Sequence, residues 1–218
     1  MRQAWKTILP ALSQEYSVLT YSRPGYGASP MMGTPRDGKH IVAELRTLLQ
    51  ELNQPPPYIL VGHSIGGLYM QLFARQHPED VAALVLIDPT HPQQFTGLGA
   101  IEHRPWWFRG LFELFLRIRG GKEELAAAVQ TGAQVLATPW HPSCPVFVLQ
   151  SRSRAQTFRL SALDRFSLDK KQDFLNLYPG CHLSWIDSGH NIQHEHPEAV
   201  LVALHAAIAS HPSQKTPT

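Results

Sequence analysis

The segment VGHSIGG, residues 61–67, sets a serine between glycines where PPPYIL gives way to LYMQLFARQHPED. The residues ahead of the serine, YILVG at 58–62, form a continuous apolar run, the pattern of a strand covered on both faces. The residues after it read as a helix over 66–76. A serine hydroxyl is a weak nucleophile unless a base takes its proton and donors hold the oxyanion. A tight strand-to-helix turn lifts the hydroxyl clear of the sheet edge and aims backbone N–H groups at an attacked carbonyl. Gly62 and Gly66 stand two residues before and after Ser64 and are expected to allow the strained angles and the close chain approach. The Ile65 N–H is the expected oxyanion donor, beside the positive end of the following helix. As bare text G-x-S-x-G is a weak signal; between a buried strand and a helix it is a strong one.

Outward from this turn the pattern alternates. Strands are expected at 16–21 (YSVLTY), 58–62, 83–87, 145–150 and 182–187, and helices at 40–52, 66–76, 163–177 and 197–209. Alternation of this kind implies right-handed crossovers and a parallel sheet, hence an α/β fold with flanking helices. Residues 91–143 are too long for one crossover helix and hold WWFRGLFELFLRIR at 106–119. They read as an inserted helical cap on a core made of 1–90 and 144–218. Its apolar side chains, Trp106, Trp107, Phe108 and Phe112 among them, suit an acyl- or aryl-binding pocket under a lid as well as ordinary packing. Arg109, Arg117 and Arg119 alongside leave contact with a membrane surface as a further reading.

Bulk composition narrows the function classes. The 218 residues suffice for one domain, and 43% hydrophobic with 17% charged residues describes a globular chain. The net charge is +2 and basic residues are not clustered, which gives nucleic-acid binding little support. No apolar run is long enough to span a bilayer, and the N-terminus lacks the features of a signal peptide, so the expectation is a soluble cytoplasmic protein. Cys144 and Cys181 each precede a strand core and are expected at the same end of the sheet; the cytosolic setting favours free thiols.

Among twelve histidines His190 stands out. It follows the last expected strand, in SGHNIQHEHPE, and therefore lies at the same C-terminal sheet edge as Ser64, where ligands bind in open parallel sheets. An imidazole there can accept the serine proton and return it to a leaving group. His190 and His194 share an i, i+4 spacing, but that spacing falls in a loop and lacks a third ligand, so no metal is expected. His196 precedes Pro197, which reads as a helix entry. His63 reads as part of the turn.

VGHSIGG, with TYSRPGYGAS upstream and DSGHNIQHEHPEAV downstream, resembles the α/β-hydrolase superfamily, in particular its small esterase-like members with a helical cap. The resemblance runs from about Trp5 to Ile208 and is weakest over 91–143. It implies a serine, an acid and a histidine in that chain order, and no cofactor. Many members place the acid after the strand that follows the cap, but LQSRSRAQTF at 149–158 has no Asp or Glu. The other known position follows the strand before the cap, and there LVLIDPT offers Asp88. Asp187 is three residues from His190 and reads as strand-bound, while Asp164 and Asp169 read as helix surface. Members usually carry Asp ahead of the RPGYGAS arginine, where this chain has Ser22.

The resemblance also implies a strand and a His-Gly type loop ahead of WKTILPALSQ, with that strand lying between YSVLTY and YILVG and its loop giving a second oxyanion donor. The few residues before Trp5 are neither strand-like nor glycine-rich, so the fold is expected to be N-terminally truncated. The functional expectation is a serine hydrolase of ester-like, apolar acyl substrates through Ser64, Asp88 and His190. The alternative is a non-catalytic hydrolase-fold binding protein or an inactive truncated product. Dehalogenation of haloalkanes is disfavoured because it needs a carboxylate where Ser64 stands.

Overall fold

A computed structural model of the chain describes residues 2–100, 121–152 and 161–211. Four strands, β1 (Tyr58–His63), β2 (Val81–Ile87), β3 (Val146–Ser151) and β4 (His182–Ile186), form one sheet in that order. Every neighbouring pair is parallel. The fold is α/β with a parallel sheet, as expected. β2 and β3 are buried at every residue, because they are central and covered on both faces. β1 and β4, at the two edges, are only partly buried.

The alternation of side chains along a strand divides the core in two. Leu84 and Leu86 of β2 join Val146 and Val148 of β3 on one face. There they meet Ile41 and Leu45 of helix α2 (Gly38–Glu51) and Leu68, Leu72 and Phe73 of α3 (Ile65–Gln76). Ala83, Val85, Ile87, Phe147 and Leu149 face the other way, against Ile8, Leu12 of the short α1 (Leu9–Leu12), and Val200 and Leu204 of the last helix. Local signals set the helix starts. The Asp37 side chain accepts the Lys39 N–H at the start of α2. Pro197 opens the last helix, Pro197–Ala209, at a position whose N–H has no intrahelical use.

Between β2 and β3, helices α4 (Gly121–Ala126) and α5 (Ala128–Ala137) are described. They fall within residues 91–143, the segment expected to form a cap; residues 106–119, with the tryptophans and arginines discussed above, lie outside the described residues. The expected helix 163–177 is two: α6 (Ala162–Gln172) and α7 (Phe174–Leu177), with Asp173 between. A capping box of Ser161 and Asp164 starts α6. The last helices are α8 (Ile192–Glu195) and α9 (Pro197–Ala209).

One expected strand is absent. Residues 16–21 are irregular, and Val18 and Leu19 are 38% and 40% exposed. β-branched and aromatic residues make a strand only where a ladder takes their backbone groups. Among the described residues β1 pairs with β2 alone, and no strand lies between it and 16–21 to provide that ladder. Cys144 and Cys181 are free thiols, and burial pushes Cys144 up to about 11. Among the described residues no helix is long and apolar enough to cross a membrane.

Candidate active site

Ser64 sits between the end of β1 and the first residue of α3 with φ 54 and ψ −128. A positive φ is strained for a residue with a side chain. Neighbouring chain holds it there. Its N–H donates to Ile87 O at 3.2 Å, and its carbonyl accepts the N–H groups of Gly67 at 2.9 Å and Thr90 at 3.0 Å. The side chain makes no capping bond to its own helix. Ile65 is the first residue of α3, where an N–H has no carbonyl one turn earlier.

The two glycines that the turn needs are not the expected pair. A Cβ on Gly62 would fall 2.6 Å from Gly67 Cα, and one on Gly67 would fall 2.8 Å from Pro89 Cβ. A Cβ on Gly66 would meet nothing within 4 Å. Close approach is therefore made by Gly62 and Gly67, and Gly66 borders open space.

Asp88 follows β2 directly and also has positive φ, 37°. Its N–H donates to Leu149 O at 2.7 Å, and the residue is 7% exposed. Oδ2 lies 2.6 Å from His190 Nδ1 and accepts the Ser151 hydroxyl at 2.9 Å. Oδ1 accepts the Ser151 N–H at 3.0 Å and the Lys171 ammonium at 2.7 Å. Burial pushes the carboxyl upward. The His190 bond, the Lys171 charge and the Ser151 N–H outweigh it and hold the group at about 2. An ionised carboxylate only accepts, so Nδ1 of His190 carries the proton and Nε2 of the neutral ring is left as an acceptor. The imidazole side chain is 53% exposed.

The family model described as "alpha/beta hydrolase fold" matches residues 2–178. The chain belongs to the α/β-hydrolase family. The protein YqjL of Bacillus subtilis (strain 168) is 26% identical over 214 residues, 93% of this chain and 77% of its own length. The pimeloyl-[acyl-carrier protein] methyl ester esterase of Aromatoleum aromaticum is 40% identical over 85 residues, 39% of this chain and 31% of the esterase. The structure of a bromoperoxidase from Bacillus anthracis superposes with a TM-score of 0.67 at 17% identity, over 95% of this chain and 87% of that one. That likeness is one of fold.

Within this α/β-hydrolase, Ser151, the last residue of β3, binds Asp88 through both its N–H and its hydroxyl. Asp187, Asp164 and Asp169 are all exposed. Asp164 serves the α6 capping box. His63 does more than line the turn. Its Nε2 donates to the backbone carbonyl of His190 at 2.8 Å, and its Nδ1 accepts Gln193 Nε2 at 3.4 Å. The two imidazoles lie 4.6 Å apart, centroid to centroid. Burial, then the neighbouring His190, pushes His63 down to about 4, so it is neutral near pH 7. Glu195 on α8 fixes the other side of the loop by accepting the Gly189 N–H at 2.8 Å. His194 is exposed on the same helix.

Among the described residues, the group with metal-ligand spacing is His77, Glu79 and Asp80. It lies ahead of β2, at the opposite end of the sheet, where Arg46 pairs with Asp80 at 3.3 Å. Lys171, Ser151 and His63 are the functional-site contacts that sequence reading missed. Each acts across at least 20 residues of chain, and nothing in the local pattern marks it.

Proposed function

We propose that this α/β-hydrolase is a serine hydrolase of ester-like small-molecule substrates, apolar acyl esters included, acting through an acyl-enzyme. The observation that supports it best is the strained Ser64 turn together with the 2.6 Å His190–Asp88 pair at one sheet edge. In this reading His190 Nε2 takes the Ser64 proton as Oγ attacks the carbonyl carbon. The oxyanion accepts the Ile65 N–H, while Asp88 stabilises the imidazolium. Collapse of the tetrahedral species expels the alcohol with the proton from His190. Water then attacks the acyl-enzyme, gives its proton to His190, and releases the carboxylic acid and free Ser64. These steps use side chains, backbone and water alone.

The ester preference draws on the esterase similarity, which covers 39% of the chain. The test is hydrolysis of 4-nitrophenyl esters of graded acyl length by the purified chain, with Ser64→Ala and His190→Ala beside it. Turnover that falls by at least about 10³-fold in both variants supports the reading. Turnover equal in all three proteins overturns it, and no turnover in a folded chain favours a binding role.

A further inference from the structure

Lys171 lies in the last turn of α6, and its ammonium reaches the end of β3. Nζ donates to Asp88 Oδ1 at 2.7 Å, to Ser151 O at 2.8 Å and to Ser151 Oγ at 2.8 Å. All three donors of the ammonium are thereby engaged. The helix end that carries it is itself held in place. Gln150 Nε2 donates to Lys171 O at 3.4 Å, and buried His91 bonds Asp173 through Nε2 at 3.0 Å. The Asp88 carboxylate thus meets Lys171 on Oδ1 and His190 on Oδ2 at once.

We propose that Lys171 is a positioning residue for the His190–Asp88 pair: it fixes the carboxylate with Oδ2 toward the imidazole and shares the negative charge that the imidazole faces. An ion-pair anchor for α6 alone would need only one carboxylate oxygen in any rotamer. Here the Ser151 hydroxyl bridges Lys171 to the oxygen that faces His190, so the two contacts are linked through a third group.

Other charged or titratable groups surround the pair. His63 faces His190 from the end of β1 and is neutral through burial. From α8 come Glu195, engaged with Gly189 and Ser188, and exposed His194. Asp187 follows β4 and is exposed. Arg152 follows β3 and lies over the Trp185 ring. Lys170 turns to Gln93, and His91 to Asp173. Among the described residues, the Lys171 ammonium is the charged group in contact with the Asp88 carboxylate, and His190 meets it through Nδ1.

The experiment is an NMR titration of the His190 imidazole in the full chain, wild type against Lys171→Met, Lys171→Gln and Lys171→Arg. An opposite charge in contact moves a titration by one to three units; acting through the shared carboxylate, the ammonium should move it by about one. The midpoint should therefore rise by about one pH unit in the Met and Gln variants and stay at the wild-type value in the Arg variant. Lys170→Met is the control and should change nothing. An unmoved midpoint in the neutral variants overturns the inference, as does an equal rise in the Arg variant. Should both neutral variants fail to fold by circular dichroism, the Arg variant decides, and a displaced midpoint there overturns it. The kinetic consequence, an acid limb of Ser64 acylation displaced equally, rests on the proposed role of His190 as base. A midpoint shift without acylation of Ser64 overturns the hydrolase reading alone, and acylation without a shift overturns this inference alone.

Discussion

The carbonyl of Ser64 accepts the backbone N–H of Thr90 at 3.0 Å. This bond ties the turn after β1 to the turn after β2, two residues beyond Asp88. Both turns hold a non-glycine residue at positive φ, 54° at Ser64 and 37° at Asp88. The candidate nucleophile and the candidate acid are therefore parts of one hydrogen-bonded unit at the sheet edge.

Pro89, in the second turn, packs against Gly67 in the first, and this contact predicts opposite outcomes for two adjacent glycines. Gly67→Ala places a methyl group 2.8 Å from Pro89 Cβ and should cost about 1–3 kcal/mol in a urea melt. Gly66→Ala meets open space inside a helix and should be neutral or stabilising by up to about 1 kcal/mol. Equal losses at both positions would contradict the packing described.

The expectation from sequence named Gly66 rather than Gly67, and the reason is geometric. Spacing around Ser64 shows that glycines are needed, but only the path of the second turn shows which Cβ direction is blocked. Asp88 was legible because it ends LVLI, a run whose continuous apolarity marks a central strand. His190 was legible because it follows the last strand at the same edge. Residues 16–21 were misread because their strand-like composition says nothing about whether a ladder lies beside them. Lys171 was illegible: on its own helix it is one of two adjacent lysines, and its partner is 83 residues away.

Two histidines, buried His91 and half-buried His63, set the acid response of the fold. Burial, then the Lys170 charge, pushes His91 down to about 4 against the opposing pull of Asp173, and His63 is likewise near 4. Between the ordinary histidine value and about 4 the unfolded chain binds more protons than the folded one. Stability is therefore full above that window and is lost as pH falls through it. For His91, 1% exposed, the loss is about 3 kcal/mol. Asp88 adds a further loss at lower pH, as the pH falls toward about 2. Urea melts from pH 7 to pH 4 should show the wild type losing stability with a slope that His91→Gln lowers by about one proton. An unchanged slope in His91→Gln would contradict the assignment.

Glu124 of α4 receives Arg23 through two bonds, at 2.7 and 2.8 Å, and the Tyr26 hydroxyl at 3.0 Å, and is 1% exposed. Arg36 approaches it at 3.6 Å. Removing the carboxylate charge would take from buried Arg23 its two-bond carboxylate partner, while Arg36 keeps Glu44 at 2.7 Å. Glu124→Gln should lower stability by about 3–5 kcal/mol, which is roughly 10 °C in Tm by differential scanning calorimetry. A change below about 1 kcal/mol would show that the pair is solvated and of little weight.

The central claim is that Ser64 is an activated nucleophile. Its most direct measurement is labelling of the purified chain by a fluorophosphonate probe, read by intact mass, with Ser64→Ala alongside. The account predicts one adduct per chain in the wild type, with none in Ser64→Ala and at least about 10³-fold slower labelling in His190→Ala. Absence of the adduct in a wild-type sample that circular dichroism shows to be folded would contradict it.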